Sequence, residues 1–210
     1  PRECKSIIVD PRDLKYRVLM IHKDKRDLAG TNVLRYIELG EEQGFHKRPT
    51  CASRQRWYDL GRREFSNGFW MMTIRDRFLS WLSIGSIFVD ARLYDIYLKE
   101  EKFVTPLFAY LNSTINMLFV EFLSRSYGGG GGPVDVKVYE VENLLVPNFY
   151  SLKESIIKKL AIITTEMAQR EIGTVFDEIG CTNAMDVSFE KVRPDRLKLD
   201  KICAELLGLN

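Results

Sequence analysis

Positively charged side chains crowd one short stretch of the sequence. Residues 46–63 hold six of them against a single acidic residue, Asp59, and they surround the pair Trp57-Tyr58. The six are Lys47, Arg48, Arg54, Arg56, Arg62 and Arg63. A guanidinium group suits bidentate contacts with phosphates and guanine edges, and an aromatic ring can stack on a splayed base. The stretch indicates a nucleic-acid contact that includes Tyr58; the alternative is a solvated basic loop around a core Trp57.

A second pair of arginines, Arg75 and Arg77, stands two residues apart. Side chains alternate between the two faces of a strand, so this pair would share a face, as would Arg54 and Arg56 in an extended segment. Like charges on one face repel each other, and a polyanion would offset that repulsion. The alternative is a surface salt-bridge pair. The predicted DNA-binding face comprises Arg54, Arg56, Arg75 and Arg77, with Lys47 and Arg48 on an adjoining loop.

Catalytic and metal-binding patterns are missing from the sequence. There is no Gly-x-Ser-x-Gly, His-Glu-x-x-His or Gly-x-Gly-x-x-Gly, and His22 and His46 are the two imidazoles. The four cysteines are too widely spaced for a zinc site or a disulfide framework. Five consecutive glycines, 128–132, lack the Lys-Ser/Thr that a phosphate loop requires. We therefore predict no catalytic residue, no bound cofactor and no metal in this chain.

Hydrophobic periodicity predicts an α+β fold, in which a small mixed or antiparallel sheet packs on a core helix and a helical C-terminal region follows. The predicted strands are 16–22, 56–60, 69–75, 78–82, 86–89 and 134–139. The predicted helices are 33–42, 105–127, 151–179 and 195–207. Thr31-Asn32 should cap the first helix, and Gly44 should end it.

Composition is that of an ordinary globular protein, with 45% hydrophobic and 29% charged residues. No apolar run approaches the ~20 residues of a membrane span, so no membrane contact is expected. The net charge is +2, but Lys and Arg outnumber Asp and Glu only before residue 140. The first residues, Pro1-Arg2-Glu3-Cys4, are no signal peptide. We expect a cytoplasmic protein and a fragment of a longer chain.

Four stretches in order resemble a known family. Residues 48–60 contain an R-x-x-W-Y-x-L element, and residues 111–116 read LNSTIN. The glycine run 128–132 and the sequence VENLLVP at 141–147 follow. Together they are similar to the C-terminal, TaqI-like specificity domain of adenine-specific DNA methyltransferases and related restriction–modification enzymes. The resemblance spans about residues 30–150.

The resemblance implies a target-recognition domain that binds double-stranded DNA. It implies a parent enzyme that methylates adenine with S-adenosylmethionine, in a methyltransferase domain N-terminal to this chain. The Asn-Pro-Pro-Tyr motif of that domain does not occur here, so no catalytic residue is carried over. Asn112 and Ser113 fall in the helical element and are expected to have a structural role.

We predict a specificity domain at residues 1–150 and a helical C-terminal extension at 151–210. Two other functions stay open. One is a half-specificity subunit of a type I restriction system, with the helix at 151–179 as a spacer. The other is a protein–protein interaction module without a nucleic-acid role, which a steep salt dependence of DNA binding would exclude.

Overall fold

The computed structural model describes residues 3–126 and 132–209. The chain divides into two compact units, which we name by their residues. The sheet unit comprises Pro1–Lys15 and Phe65–Asn210, and the inserted unit is Tyr16–Glu64. Neither unit begins or ends at residue 150, where the sequence analysis placed the domain boundary. The functional division into 1–150 and 151–210 stays a prediction. The glycines 128–131 lie outside the described residues.

Strands and helices both occur, so the predicted α+β class is confirmed. The strands are β1 (Ile8–Val9), β2 (Gly68–Met71), β3 (Thr73–Ile74), β4 (Ser80–Ser83), β5 (Leu93–Ile96), β6 (Arg125–Ser126) and β7 (Val134–Asp135). The helices are α1 (Asn32–Glu42), α2 (Pro49–Ala52), α3 (Val104–Leu111), α4 (Thr114–Leu123), α5 (Val138–Glu142), α6 (Glu154–Met167), α7 (Val175–Ile179) and α8 (Pro194–Leu206).

The main sheet of the sheet unit has the order β1-β4-β2-β5. β1 runs parallel to β4, and the other two pairs are antiparallel. Along the central strands, consecutive residues such as Trp81 and Leu82 are buried, so both sheet faces are covered. β3, β7 and β6 form a smaller antiparallel sheet. Helix α3 packs on β4 and on α6, and α6 packs on α8.

The predicted core helix 105–127 is broken into α3 and α4, bent by 71°. Ser113 causes the restart, because its hydroxyl accepts a hydrogen bond from the Asn116 backbone N–H at 3.1 Å. The fully buried side chain of Asn112 accepts from the Ser80 N–H and donates to the Ser80 carbonyl, both at 2.9 Å. It also donates to the Phe108 carbonyl at 2.7 Å. The structural role predicted for Asn112 and Ser113 is confirmed.

Replacing Asn112 by alanine should lower the free energy of unfolding by about 2–4 kcal/mol, because it leaves the buried Ser80 amide and carbonyl without partners. Asn143→Ala is the matched control, since among the residues that the structure describes this exposed side chain donates only to the Tyr139 carbonyl, four residues earlier. Urea unfolding followed by circular dichroism checks both. An Asn112→Ala loss no larger than that of the control would show that the buried bonds add nothing.

A buried ionic cluster joins the last helices. Glu178 in α7 accepts hydrogen bonds from Arg170 at 2.6 and 2.7 Å and from Arg196 in α8 at 3.0 Å. Arg170 also donates to Asp195 at 2.7 and 2.9 Å. Arg196 donates in turn to the carbonyl of Asn112 at 2.9 Å. The cluster therefore ties the C-terminal helices to the bend between α3 and α4.

Several predicted elements differ from the structure. Residues 16–22 form no strand: Tyr16, Val18 and Leu19 are exposed, and strand propensity has an effect only where a neighbouring strand offers a surface to pack on. Residues 56–60 and 86–89 form no strand. Strand 134–139 stops at Asp135, and α5 begins soon after.

The two predicted C-terminal helices agree with the structure to different degrees. Helix 151–179 is interrupted before Thr174, whose hydroxyl accepts from the Asp177 N–H and starts α7. Helix 195–207 is confirmed within one residue as Pro194–Leu206.

Across the described residues no single helix is long and apolar enough to cross a membrane. The segments Glu101–Leu111 and Thr114–Leu123 have the required length and apolarity only when taken together, and they are bent against each other by 71°.

Candidate nucleic-acid interface

The inserted unit carries the net positive charge of the chain. It contains 11 Lys and Arg against 7 Asp and Glu, a net charge of +4. The rest of the chain contains 20 against 22, a net charge of −2. A concentration of one sign of charge attracts a polyanion. The inserted unit is therefore the candidate interface.

Helix α1 organises the inserted unit. Thr31 caps its start, because the hydroxyl accepts from the Leu34 N–H at 3.2 Å, and Gly44 with φ +76° follows its end. Both predicted boundaries are confirmed. Ile37 and Gly40 form the buried side of the helix. The basic stretch follows as a short 3-10 helix, α2 and a segment without regular structure, 53–64.

Trp57 and Tyr58 hold the basic stretch to the rest of the inserted unit. The Trp57 indole N–H donates to the Glu41 carboxylate of α1 at 2.9 Å. A Cβ on Gly40 would lie 2.6 Å from the Trp57 ring, so the ring needs a glycine there. The Tyr58 hydroxyl donates to the Lys23 carbonyl at 3.0 Å. Tyr58, predicted to contact DNA, thus has its polar end bonded within the unit.

Glu41 also forms an ion pair with Lys25. Burial acts to raise the pKa of this carboxyl group, but the bonds from Lys25 and Trp57 outweigh it and the pKa is lowered. Glu41 therefore stays ionised at neutral pH, with its charge balanced inside the unit.

Arg56 is enclosed by acidic groups. Its guanidinium donates to Asp59 at 2.7 and 3.1 Å and to Asp24 at 3.0 Å. The segment is not extended, so the argument that placed Arg54 and Arg56 on one strand face is wrong. Because its donors are used within the inserted unit, Arg56 has a structural contact that the sequence pattern did not indicate.

Four other cations of the stretch are exposed and have no ion pair or hydrogen bond from their side chains to any residue that the structure describes. They are Lys47, Arg54, Arg62 and Arg63. Arg48 is also exposed, with its guanidinium 4.4 Å from the centre of the Phe45 ring. These five charged side chains are exposed to solvent, and their contact with DNA stays a prediction.

Arg75 and Arg77 belong to the sheet unit, and neither lies on a strand, since β3 ends at Ile74. The expected shared strand face is therefore wrong for this pair as well. Arg77 is half-buried and donates to the Cys4 carbonyl at 2.9 Å. Arg75 is exposed and lies beside a largely apolar cavity of about 330 Å³. Ile74 is buried.

Asp24, His22 and Asp59 are the residues that sequence reasoning missed. Asp59 accepts from the Gly61 N–H at 2.8 Å, from Arg56, and from His22 Nδ1 at 2.9 Å. These bonds, with that of Gly61 first, hold the pKa of Asp59 down at about 2. The sequence offers one local signal, the spacing Asp-x-Gly, which is typical of a turn. His22 and Asp24 lie more than 30 residues away, and no local pattern links them to the loop.

No group of three or more His, Cys, Asp or Glu side chains within the described part of the chain is placed to hold a metal ion.

Comparison with protein families matches residues 9–181 to the model for the C-terminal domain of the type II methyltransferase M.Eco57I. Comparison with curated proteins gave no match.

Among solved structures, the chain is similar to the type IIG restriction endonuclease BpuSI, with a TM-score of 0.59 at 11% sequence identity. The match covers 99% of this chain and 25% of that one, so this chain spans a quarter of its structural relative. At this identity the likeness concerns the fold.

Proposed function

This chain belongs to the family of the type II methyltransferase M.Eco57I C-terminal domain, and we propose that it binds duplex DNA sequence-specifically as the target-recognition part of an adenine DNA methyltransferase. The observation that carries the proposal is that three carboxylates of the inserted unit are paired inside it, while several of its cations are exposed. The carboxylates of Asp24, Glu41 and Asp59 are bonded internally. The cations that remain exposed can neutralise phosphates and reach base edges.

A division of labour between this chain and a catalytic domain has a physical reason. Methylation of a base in a duplex requires that the base be flipped into a catalytic pocket. A separate recognition part can hold the register of the duplex and contact bases that stay stacked. We propose that S-adenosylmethionine binds in the catalytic domain and that this chain transfers no methyl group alone. Saturable micromolar uptake of the cofactor in calorimetry would contradict this.

The expected result with this chain is weak duplex binding that depends steeply on salt. Without its catalytic domain the affinity should lie in the non-specific range, with Kd about 10⁻⁴–10⁻⁶ M at physiological salt. Fluorescence anisotropy with a labelled duplex at several salt concentrations measures both quantities. Absence of binding in low salt would contradict the proposal and favour a protein-interaction module.

A further inference from the structure

We propose that Asp59 is a positioning residue for DNA binding, which shapes the loop 53–64 so that Arg62 and Arg63 are held ready for the duplex. The inference rests on the proposed function of the inserted unit. It concerns an acidic residue at the centre of a basic stretch, where charge alone would disfavour a polyanion.

Asp59 orders residues 53–64 together with Trp57 and Tyr58, which hold the stretch by their own hydrogen bonds. Residues 53–64 contain no helix or strand, so no backbone ladder fixes their course. The Asp59 carboxylate instead accepts four hydrogen bonds, from Gly61 N, His22 Nδ1 and two nitrogens of Arg56. Arg56 extends the connection to Asp24, so the middle of the loop is tied to residues 22–24.

The bond to Gly61 connects Asp59 to the arginines. It fixes the backbone one residue before Arg62, at a glycine with φ +75°, a conformation that side-chain-bearing residues rarely adopt. The path by which the chain enters Arg62-Arg63 is therefore set by the Asp59 carboxylate. Both arginines are exposed, and because the backbone that leads into them is ordered beforehand, it loses less conformational freedom on binding.

Asp59→Asn separates positioning from charge, because the two effects have opposite signs. The substitution raises the net charge of the inserted unit by one, so long-range attraction alone predicts tighter binding. Loss of loop order predicts weaker binding by about 5- to 20-fold, the cost of ordering the backbone around Gly61 only in the complex. Asp27→Asn is the matched control, since Asp27 is exposed and 3.7 Å from Arg26. The control should bind equally or slightly more tightly.

A double-mutant cycle tests whether Asp59 acts through the arginines. In an Arg62→Ala/Arg63→Ala background, Asp59→Asn should cause no further loss, whereas an independent effect on folding would persist. If Asp59→Asn unfolds the inserted unit in circular dichroism, His22→Ala replaces it, because this variant removes one of the four bonds. About two- to threefold weaker binding is then expected, because the loop keeps three of these four bonds and loses only part of its order.

The outcomes separate this inference from the proposed function. If the unsubstituted chain does not bind duplex DNA in low salt, the proposed function itself fails. If it binds, and Arg62→Ala/Arg63→Ala weakens binding while Asp59→Asn matches Asp27→Asn, only the positioning role is overturned. A loss from Asp59→Asn that persists in the double-arginine background overturns it too, as does unchanged binding by His22→Ala where that variant is used.

Discussion

Replacing Lys47, Arg54, Arg62 and Arg63 together by alanine is expected to remove most of the affinity of this chain for duplex DNA. All four side chains are exposed and lack an ion pair among the described residues, so each is available to a phosphate. The slope of log K against log salt is negative, and each lost phosphate contact makes it less steep by about 0.9. For the set of four, the slope should become less steep by about 3 to 4 units. Anisotropy titrations over a salt series measure the change.

The matched control neutralises the same number of exposed cations on the sheet unit, Lys153, Lys158, Lys159 and Lys201. The two variants carry the same net charge, so a general charge effect would weaken them equally. Retained binding in the inserted-unit variant, or an equal loss in the control, would place the DNA contact elsewhere.

A single change, Arg54→Ala, then distinguishes a base contact from a phosphate contact. Only a base contact worth about 1–3 kcal/mol depends on the DNA sequence.

Arg56 illustrates what the sequence could and could not predict about the site. Its residue type and surroundings were the same as those of Arg54 and Arg62, and all three were predicted to contact DNA. The structure separates them because Asp24, which is distant in sequence, lies next to Arg56. Arg56→Ala is accordingly expected to affect DNA binding by loosening the loop 53–64, because it removes the bonds to Asp24 and Asp59. Residue type predicted the basic stretch, whereas long-range ion pairing determined which of its cations stay exposed.

The fold shows the same limit. Local signals predicted α1, because a capping threonine and a terminal glycine mark its ends within the sequence itself. The break at Asn112-Ser113 was not predicted, because the residues around it are apolar at helical spacing and its cause includes a bond to Ser80 in another element. The segment 16–22 shows the reverse case, since its β-branched and apolar residues favour a strand for which the structure supplies no neighbour.

Glu178→Gln is expected to be strongly destabilising, by about 3–5 kcal/mol, because it leaves Arg170 and the buried Arg196 with a single carboxylate, that of Asp195. Glu178 and Arg196 are 4% and 2% exposed. Glu166→Gln is the matched control: it makes the same change at an exposed pair in which Lys198 of α8 meets Glu166 of α6 at 2.7 Å. An exposed pair contributes at most about 1 kcal/mol. Urea unfolding at pH 7 measures both, and equal effects would contradict the prediction.

The pH dependence gives an independent check on Glu178. Burial acts to raise the pKa of Glu178, but the bonds from Arg170 and the charge of Arg196 outweigh it and lower the pKa. A carboxyl group with a lowered pKa in the folded state stabilises that state above its ordinary pKa, and the contribution is lost as the pH falls through the folded value. The glutamine cannot titrate, so the stability difference between the chain and Glu178→Gln should be full at pH 7 and shrink below about pH 4. A difference that stays constant down to pH 3 would mean that the effect of Glu178 is steric. If it shrinks as expected, the charge of Glu178 holds α7 and α8 to the bend at Asn112, and the C-terminal helices stabilise the sheet unit itself.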